Sequence, residues 1–196
     1  MRVSRWTLAL LLCASVEGSA VSLAGVDIPP LVRVESGSRP WPLLGTAMVH
    51  RSFIPFYGLA MHGPADAGQR EDIGLGLTPV QITLVWYANA LPKAQVQEHF
   101  RKMFEQVADA ETMARIGSRL DKFLAILPEA ERGKRITLYY TPDAGTLVSV
   151  EGGETAQFAG IEFNRTLLAI WLGPKADPEV SRGLLTAPDA AAAPAS

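Results

Sequence analysis

Between Leu43 and His62 the chain reads LLGTAMVHRSFIPFYGLAMH, and here Arg51 and Tyr57 place a cation and a phenol in apolar company. The stretch is rich in β-branched, aromatic and small residues and lacks a 3.6-residue period, which predicts two strands or one long bent strand. In extended geometry Val49, Arg51, Phe53, Pro55 and Tyr57 share one face, while His50, Ser52, Ile54 and Phe56 share the other. A guanidinium binds carboxylates bidentately, so Arg51 with Tyr57 could hold the carboxylate or phenolate of an otherwise apolar ligand. Trp86 and Tyr87, in a later predicted strand, either line the same space or fill the core. The ligand-binding set expected from sequence is therefore Arg51, Tyr57, Val49, Phe53 and Trp86, with no residue assigned a catalytic role. The plainer alternative is a surface salt bridge for Arg51 and a core Tyr57 bonded to a backbone carbonyl.

Other chemistries lack their residues. His50, His62 and His99 fall in different elements without the i, i+3 or i+4 spacing of a helical metal site, so no metal is expected. Gly74-Leu75-Gly76 lacks the third glycine and the strand-to-helix context of a dinucleotide loop, and no Walker lysine follows a glycine run. There is no G-x-S-x-G nucleophile elbow. Asn164-Arg165-Thr166 matches a glycosylation pattern but sits within a predicted helix. No cofactor is expected. A net charge of -2 with scattered Lys and Arg argues against a nucleic-acid partner.

The ends read as separate from the fold. Arg2 and Arg5, the apolar run Trp6 to Val16 and the small residues Gly18-Ser19-Ala20 resemble a secretory signal over residues 1–20, implying a periplasmic or secreted protein. A membrane anchor is the alternative, but the run is shorter than the roughly 20 residues that span a bilayer. No transmembrane segment is expected after cleavage, which could follow Ala20 or Ala24. Cys13, the only cysteine, lies inside this segment behind Leu12, which does not suit lipidation, so thiol and disulfide chemistry are excluded from the mature chain. Residues 186–196, TAPDAAAAPAS, read as a disordered tail. The remainder, residues 25–185, suits one globular domain, with 48% hydrophobic and 19% charged residues in the whole chain.

The elements that must position Arg51 and Tyr57 follow in order. Leu31 to Glu35 and Pro40 to Leu43 predict an edge hairpin around Ser36-Gly37-Ser38, Gly63 to Gly76 a loop, and Val80 to Tyr87 a strand. Pro92 opens a helix with the stripe Val96, Phe100, Met103 and Val107, and Asp109 caps a second with Met113, Ile116, Leu120, Phe123 and Leu127. A β-meander spans Ile136 to Phe158, and helices over Ile161 to Leu172 and Pro178 to Leu185 close the domain. Segregated runs of this kind predict an α+β fold with an antiparallel sheet.

This order resembles the chalcone isomerase-like family, in particular its exported bacterial members. The resemblance runs from about Gly25 to Leu185 and is carried by Phe163, Leu167-Leu168, Ile170-Trp171-Leu172-Gly173 and Gly183-Leu184-Leu185, with Leu120-Asp121-Lys122-Phe123-Leu124 and Ile136-Thr137-Leu138-x-Tyr140. It implies an antiparallel sheet covered on one face by helices, an open-faced β-sandwich with a ligand cleft between the layers. Plant enzymes of the family close chalcones to flavanones without a cofactor, while related members bind fatty acids. The family's functional arginine lies in Gly-x-Gly-x-Arg, matched here by Gly45-Thr46-Ala47-Met48-Val49, so Ala47 replaces the second glycine and Val49 the arginine. The plant catalytic threonine falls at Tyr57 and the catalytic tyrosine near Val96. Losing the guanidinium removes several kcal/mol of transition-state stabilisation. The favoured function is thus a non-catalytic periplasmic protein that holds a small amphipathic molecule, a fatty acid or phenolic, with Arg51 replacing the missing arginine. The alternatives are a cofactor-free lyase or isomerase acting on an enone, and a protein-interaction module whose cleft has closed into core. Oligomeric state is not legible.

Overall fold

The computed structural model describes residues 21–34, 39–64 and 70–187. The expected signal segment, the 36–38 turn, part of the 63–76 loop and the tail beyond Ala187 lie outside the described residues. A seven-stranded antiparallel meander runs in chain order through β3 (Leu31–Val32), β4 (Trp41–Arg51), β5 (Ile54–His62), β6 (Val80–Trp86), β7 (Arg135–Thr141), β8 (Gly145–Val150) and β9 (Thr155–Phe158). Before it, β1 (Val21–Leu23) and β2 (Val26–Ile28) form a separate hairpin. The helices are α1 (Arg70–Gly74), α2 (Lys93–Val107), α3 (Ala110–Ile126), α4 (Ile161–Leu172) and α5 (Pro178–Leu185). The α+β architecture is the expected one, an antiparallel sheet with its main helices on one face.

Side-chain alternation across the strands separates the two faces. Cross-strand rows such as Leu59, Leu84, Ile136 and Val150, or Met61, Ile82, Leu138 and Val148, join the helices' apolar stripes in one core. The opposite face carries Gln81, Thr83, Thr137 and Ser149 in its middle. There the β1–β2 hairpin buries Leu23 and Ile28 against Leu43, Ala60 and Val85. This hairpin adds to the expected pattern: β3 pairs with β4 as predicted, but β2 pairs backward with Val21 to Leu23, which lie between the two cleavage points that the sequence offers.

Asp109 caps α3 as its spacing predicts, accepting from the Thr112 amide at 2.7 Å. In α2 the buried stripe is Val96, Phe100 and Phe104, with Met103 and Val107 half-buried on its flank. Phe104 adds to the expected stripe because α2 is covered by α3 and α4 as well as by the sheet. Helix α1 occupies part of the predicted 63–76 loop: Ile73 is buried, and that contact outweighs the low helix propensity of the surrounding glycines.

Helix α5 lies directly on β4 because both carry a glycine at the crossing. A Cβ on Gly45 would collide with the backbone carbonyls of Gly183 and Leu184, and one on Gly183 would come within 2.6 Å of the Thr46 carbonyl. Neither clash is relieved by rotating a side chain, since both partners are backbone. Gly45→Ala is expected to destabilise the fold by at least about 2 kcal/mol, at the upper end for overpacking. Thermal and urea unfolding measure this, and an unchanged midpoint would show that α5 is not seated on β4.

Candidate functional site

The expected residues Val49, Tyr57 and Trp86 form one cross-strand row, Val49 opposite Tyr57 and Tyr57 opposite Trp86. The register shifts just beyond it, from Val49 paired with Tyr57 to His50 paired with Pro55, leaving Phe56 as an unpaired extra residue in β5. Strict alternation would put Phe56 and Tyr57 on opposite faces. The bulge instead brings both into the core, where Phe56 meets Trp86 at 5.4 Å and His99 at 4.8 Å between ring centroids.

Tyr57 is fully buried. Its ring stacks on Phe100 at 6.3 Å and meets Trp86 edge-on at 5.5 Å. Its hydroxyl accepts from Trp171 Nε1 at 3.2 Å and donates to Met103 Sδ at 3.5 Å. Burial drives its pKa far above the ordinary phenol value, against a smaller opposing effect of the Trp171 bond, so the group stays neutral. A phenol in this position is a structural tie between β5 and α4.

Above this tie a cavity of about 270 Å³ opens between β4, α2 and the α4–α5 connection. Val49, Met103, Ile170, Trp171 and Val180 give it apolar walls, and His50, Gln106, Lys175 and Asp177 line it with polar groups. His99 forms one end. Its Nε2 is buried with no hydrogen-bond partner among the described residues, and so is Trp86 Nε1 behind it. Burial, helped by the nearby Arg51 charge, holds the His99 pKa down to about 4, so the ring is neutral at pH 7.

The sequence profile described as chalcone isomerase-like matches residues 20–186. The chain belongs to the chalcone isomerase-like family. Its fold also matches the crystal structure of an Arabidopsis thaliana fatty-acid binding protein, with a TM-score of 0.64, 15% identity, and coverage of 83% of this chain and 92% of that one. No curated protein matches this chain.

The segment Gly45-Thr46-Ala47-Met48-Val49 runs along β4 beside α5. Gly45 packs on α5, Ala47 borders Gly183, and Val49 presents its isopropyl group to the cavity. Arg51 is on the helix side of the sheet like Val49 but beyond His99, in a polar depression shared with Gln95, Glu98 and Lys102. Phe53 is 98% exposed at the β4–β5 turn and stands outside the cavity, because the strand ends before it. Trp86 backs the wall behind Tyr57 and Phe56.

Sequence reasoning missed His99, Met103 and Lys175 as cavity residues. His99 could have been found: it stands three residues after Val96 and four before Met103, on the flank of the stripe. Lys175 lies in a Gly-Pro-Lys-Ala-Asp-Pro connection, whose position depends on how α4 and α5 pack.

Two other concavities are less suited to a ligand of this kind. A groove of about 460 Å³ between α3 and β9, lined by Arg119, Lys122, Ile126, Ala156 and Phe158, is shallower and has no orphaned buried polar atom. Another of about 280 Å³ lies beside the β1–β2 hairpin, where Ile28, Pro29, Val32 and Val150 stand among Gln81, Thr83, Thr137 and Ser149; His62 lines it too, with its Nδ1 buried and unpaired among the described residues. No group of His, Cys, Asp and Glu among the described residues could hold a metal ion. Asn164 is buried, with its amide bonded to the Phe158 and Gly160 carbonyls and to Thr146, so it presents no glycosylation site in the folded chain.

His99 makes stability depend on pH. Its folded pKa of about 4 lies below the ordinary 6.5, so the unfolded chain binds the proton more readily and stability falls as pH drops from 6.5 towards 4. His62, lowered by burial, contributes in the same direction. In denaturant melts across this range, His99→Phe should flatten the slope while His62 keeps part of it. An unchanged slope would mean that His99 is not buried against the aromatic rings.

Proposed function

We propose that this protein is a non-catalytic binder of a small amphipathic molecule, held in the cavity between β4, α2 and the α4–α5 connection. The observation that carries this is His99 Nε2, a buried polar atom without a partner among the described residues, at the end of a cavity whose walls are part apolar and part polar. Such atoms are rare in folded proteins because leaving them unpaired costs about 1–3 kcal/mol, and a ligand hydroxyl or carboxyl would satisfy this one. Lys175 supplies the countercharge for an acid, and Val49, Ile170 and Val180 take the apolar body. The name of the Arabidopsis structure, a fatty-acid binding protein, supports a lipid ligand in this family. At about 270 Å³ the cavity is at the small end of the roughly 300–1,000 Å³ usual for ligand sites, which favours a medium acyl chain or a single phenolic ring.

Arg51 acts in this reading at the approach to the site, since His99 stands between it and the cavity. The second reading, an interaction module with a closed cleft, is favoured by the complete burial of Tyr57. Isomerisation has no support at Val49, where the resemblance requires a guanidinium.

We further propose export, with cleavage after Ala20. That site leaves β1 whole, whereas cleavage after Ala24 would remove Leu23 from its contacts with Ile28, Leu43, Ala60 and Val85. Mass spectrometry of the exported protein is expected to give Val21 as the first residue, and Gly25 or an uncleaved chain would contradict it.

Calorimetric titration with decanoate and with a simple phenol tests the binding. His99→Phe and Lys175→Ala are each expected to weaken decanoate roughly tenfold, the loss of one hydrogen bond or charge contact. Arg51→Ala should stay within about twofold. No binding of either ligand by the wild type would favour the closed-cleft module, and turnover of a chalcone above buffer background would favour an isomerase.

A further inference from the structure

The β4–β5 hairpin overhangs the rest of the sheet. Pairing between β5 and β6 ends at Tyr57 opposite Trp86, so the segment from His50 to Pro55 has no β6 neighbour. At its apex Phe53 is 98% exposed and Ile54 71% exposed, with Pro55 also in solvent. Arg51 pairs with Ile54 across a two-residue turn in which Ser52 has a φ of 60°, the left-handed region that favours glycine. Folding does not explain Phe53, a bulky aromatic in a turn that prefers small or polar types, and Ile54, the first residue of β5, suits a strand but leaves most of its side chain in solvent.

Of the charged groups beside the apex, Arg51, Lys102 and Lys175 are basic and Glu98 and Asp177 acidic. Arg51 is in no ion pair within 4 Å among the described residues. Lys102 shares its depression and is paired to Glu98 at 2.6 Å, while His50 and Lys175 line the neighbouring cavity together with the acid Asp177. An aromatic and an aliphatic side chain projecting from a hairpin end, with a guanidinium outside any close ion pair directly across from Ile54, match the layering of an anionic bilayer: acyl region outside, phosphate just inside. His50, which belongs to the cavity lining, is three residues from Phe53, just before the turn.

We propose that the β4–β5 apex is a membrane-docking element: Phe53 and Ile54 enter the boundary between headgroups and acyl chains of an anionic lipid surface, and Arg51 binds lipid phosphate. The occupant is a bilayer, because the apolar element is a narrow apex with a cation behind it and not a broad face shaped for another protein. Docking sets the cavity lining close to the lipid surface. The proposal stands on the apex alone and does not depend on what the cavity binds.

Sedimentation with vesicles of equal parts phosphatidylcholine and phosphatidylglycerol, at low salt, tests it. The wild type is expected to partition onto these vesicles, and Phe53→Ser with Ile54→Ser to lose at least about tenfold in partitioning with an unchanged melting temperature, since neither side chain packs in the fold. Arg51→Ala should weaken binding to the anionic vesicles and reduce its salt dependence. A Phe53→Trp variant should shift its emission to the blue on adding vesicles. Absence of wild-type partitioning, equal partitioning of the double variant, or an emission shift that follows protein concentration without lipid would overturn the proposal, the last in favour of self-association.

Discussion

The hydrogen bond from Trp171 to the Tyr57 hydroxyl joins the sheet to the helix layer at the centre of the molecule. Around it Phe56, Trp86, His99 and Phe100 pack at centroid distances of 4.8–6.3 Å, so the gap between β5, α2 and α4 is set by the thickness of rings. Removing the hydroxyl would leave Trp171 Nε1 unpaired in the core, which costs about 1–3 kcal/mol, comparable with burying a whole apolar side chain. On the other side of the cavity, Gly45 and Gly183 let α5 touch the backbone of β4. The cavity is what remains between a ring-filled floor and a helix drawn close to the strand.

That origin explains its chemistry. In a site built around an arginine on β4, a charged head would sit against the sheet. Here that β4 position is Val49, and the polar groups of the lining are His50 from β4, His99 and Gln106 from α2, and Lys175 and Asp177 from the α4–α5 connection. A phenol whose hydroxyl is committed to Trp171 and Met103 and whose ionisation is suppressed by burial is poorly placed to act as an acid or base.

Much of the fold was legible because punctuation residues sit where elements end. Gly160, Gly173-Pro174 and Pro178 delimit α4 and α5 at the predicted residues, and Asp109 starts α3. The β7–β8 turn was likewise readable from Pro142-Asp143-Ala144-Gly145. Where tertiary contact overrides local pattern, the reading stopped. The β1–β2 hairpin begins at Val21, between the two cleavage points that the sequence offers, and α1 hides in a glycine-rich loop. The shared row of Val49, Tyr57 and Trp86 was legible, since period-two alternation holds up to Val49, but only Val49 of the three lines the cavity. Beyond Val49 the Phe56 bulge and the Ser52-Phe53 turn break the alternation, which is why Phe56 joins the core and Phe53 leaves the site. His99 reads as an isolated histidine until α2 is laid on β5.

The central claim is that a ligand enters above the Tyr57–Trp171 bond. The indole N–H resonances of Trp41, Trp86 and Trp171, assigned through single Trp→Phe variants and followed during a decanoate titration, test it most directly. Trp171, whose side chain both lines the cavity and makes the bond, should shift in step with binding, with a smaller change at Trp86 and none at Trp41, on the far edge of the sheet. A titration that leaves Trp171 unmoved, or moves only backbone resonances of α3 and β9 around Ile126 and Ala156, would contradict it.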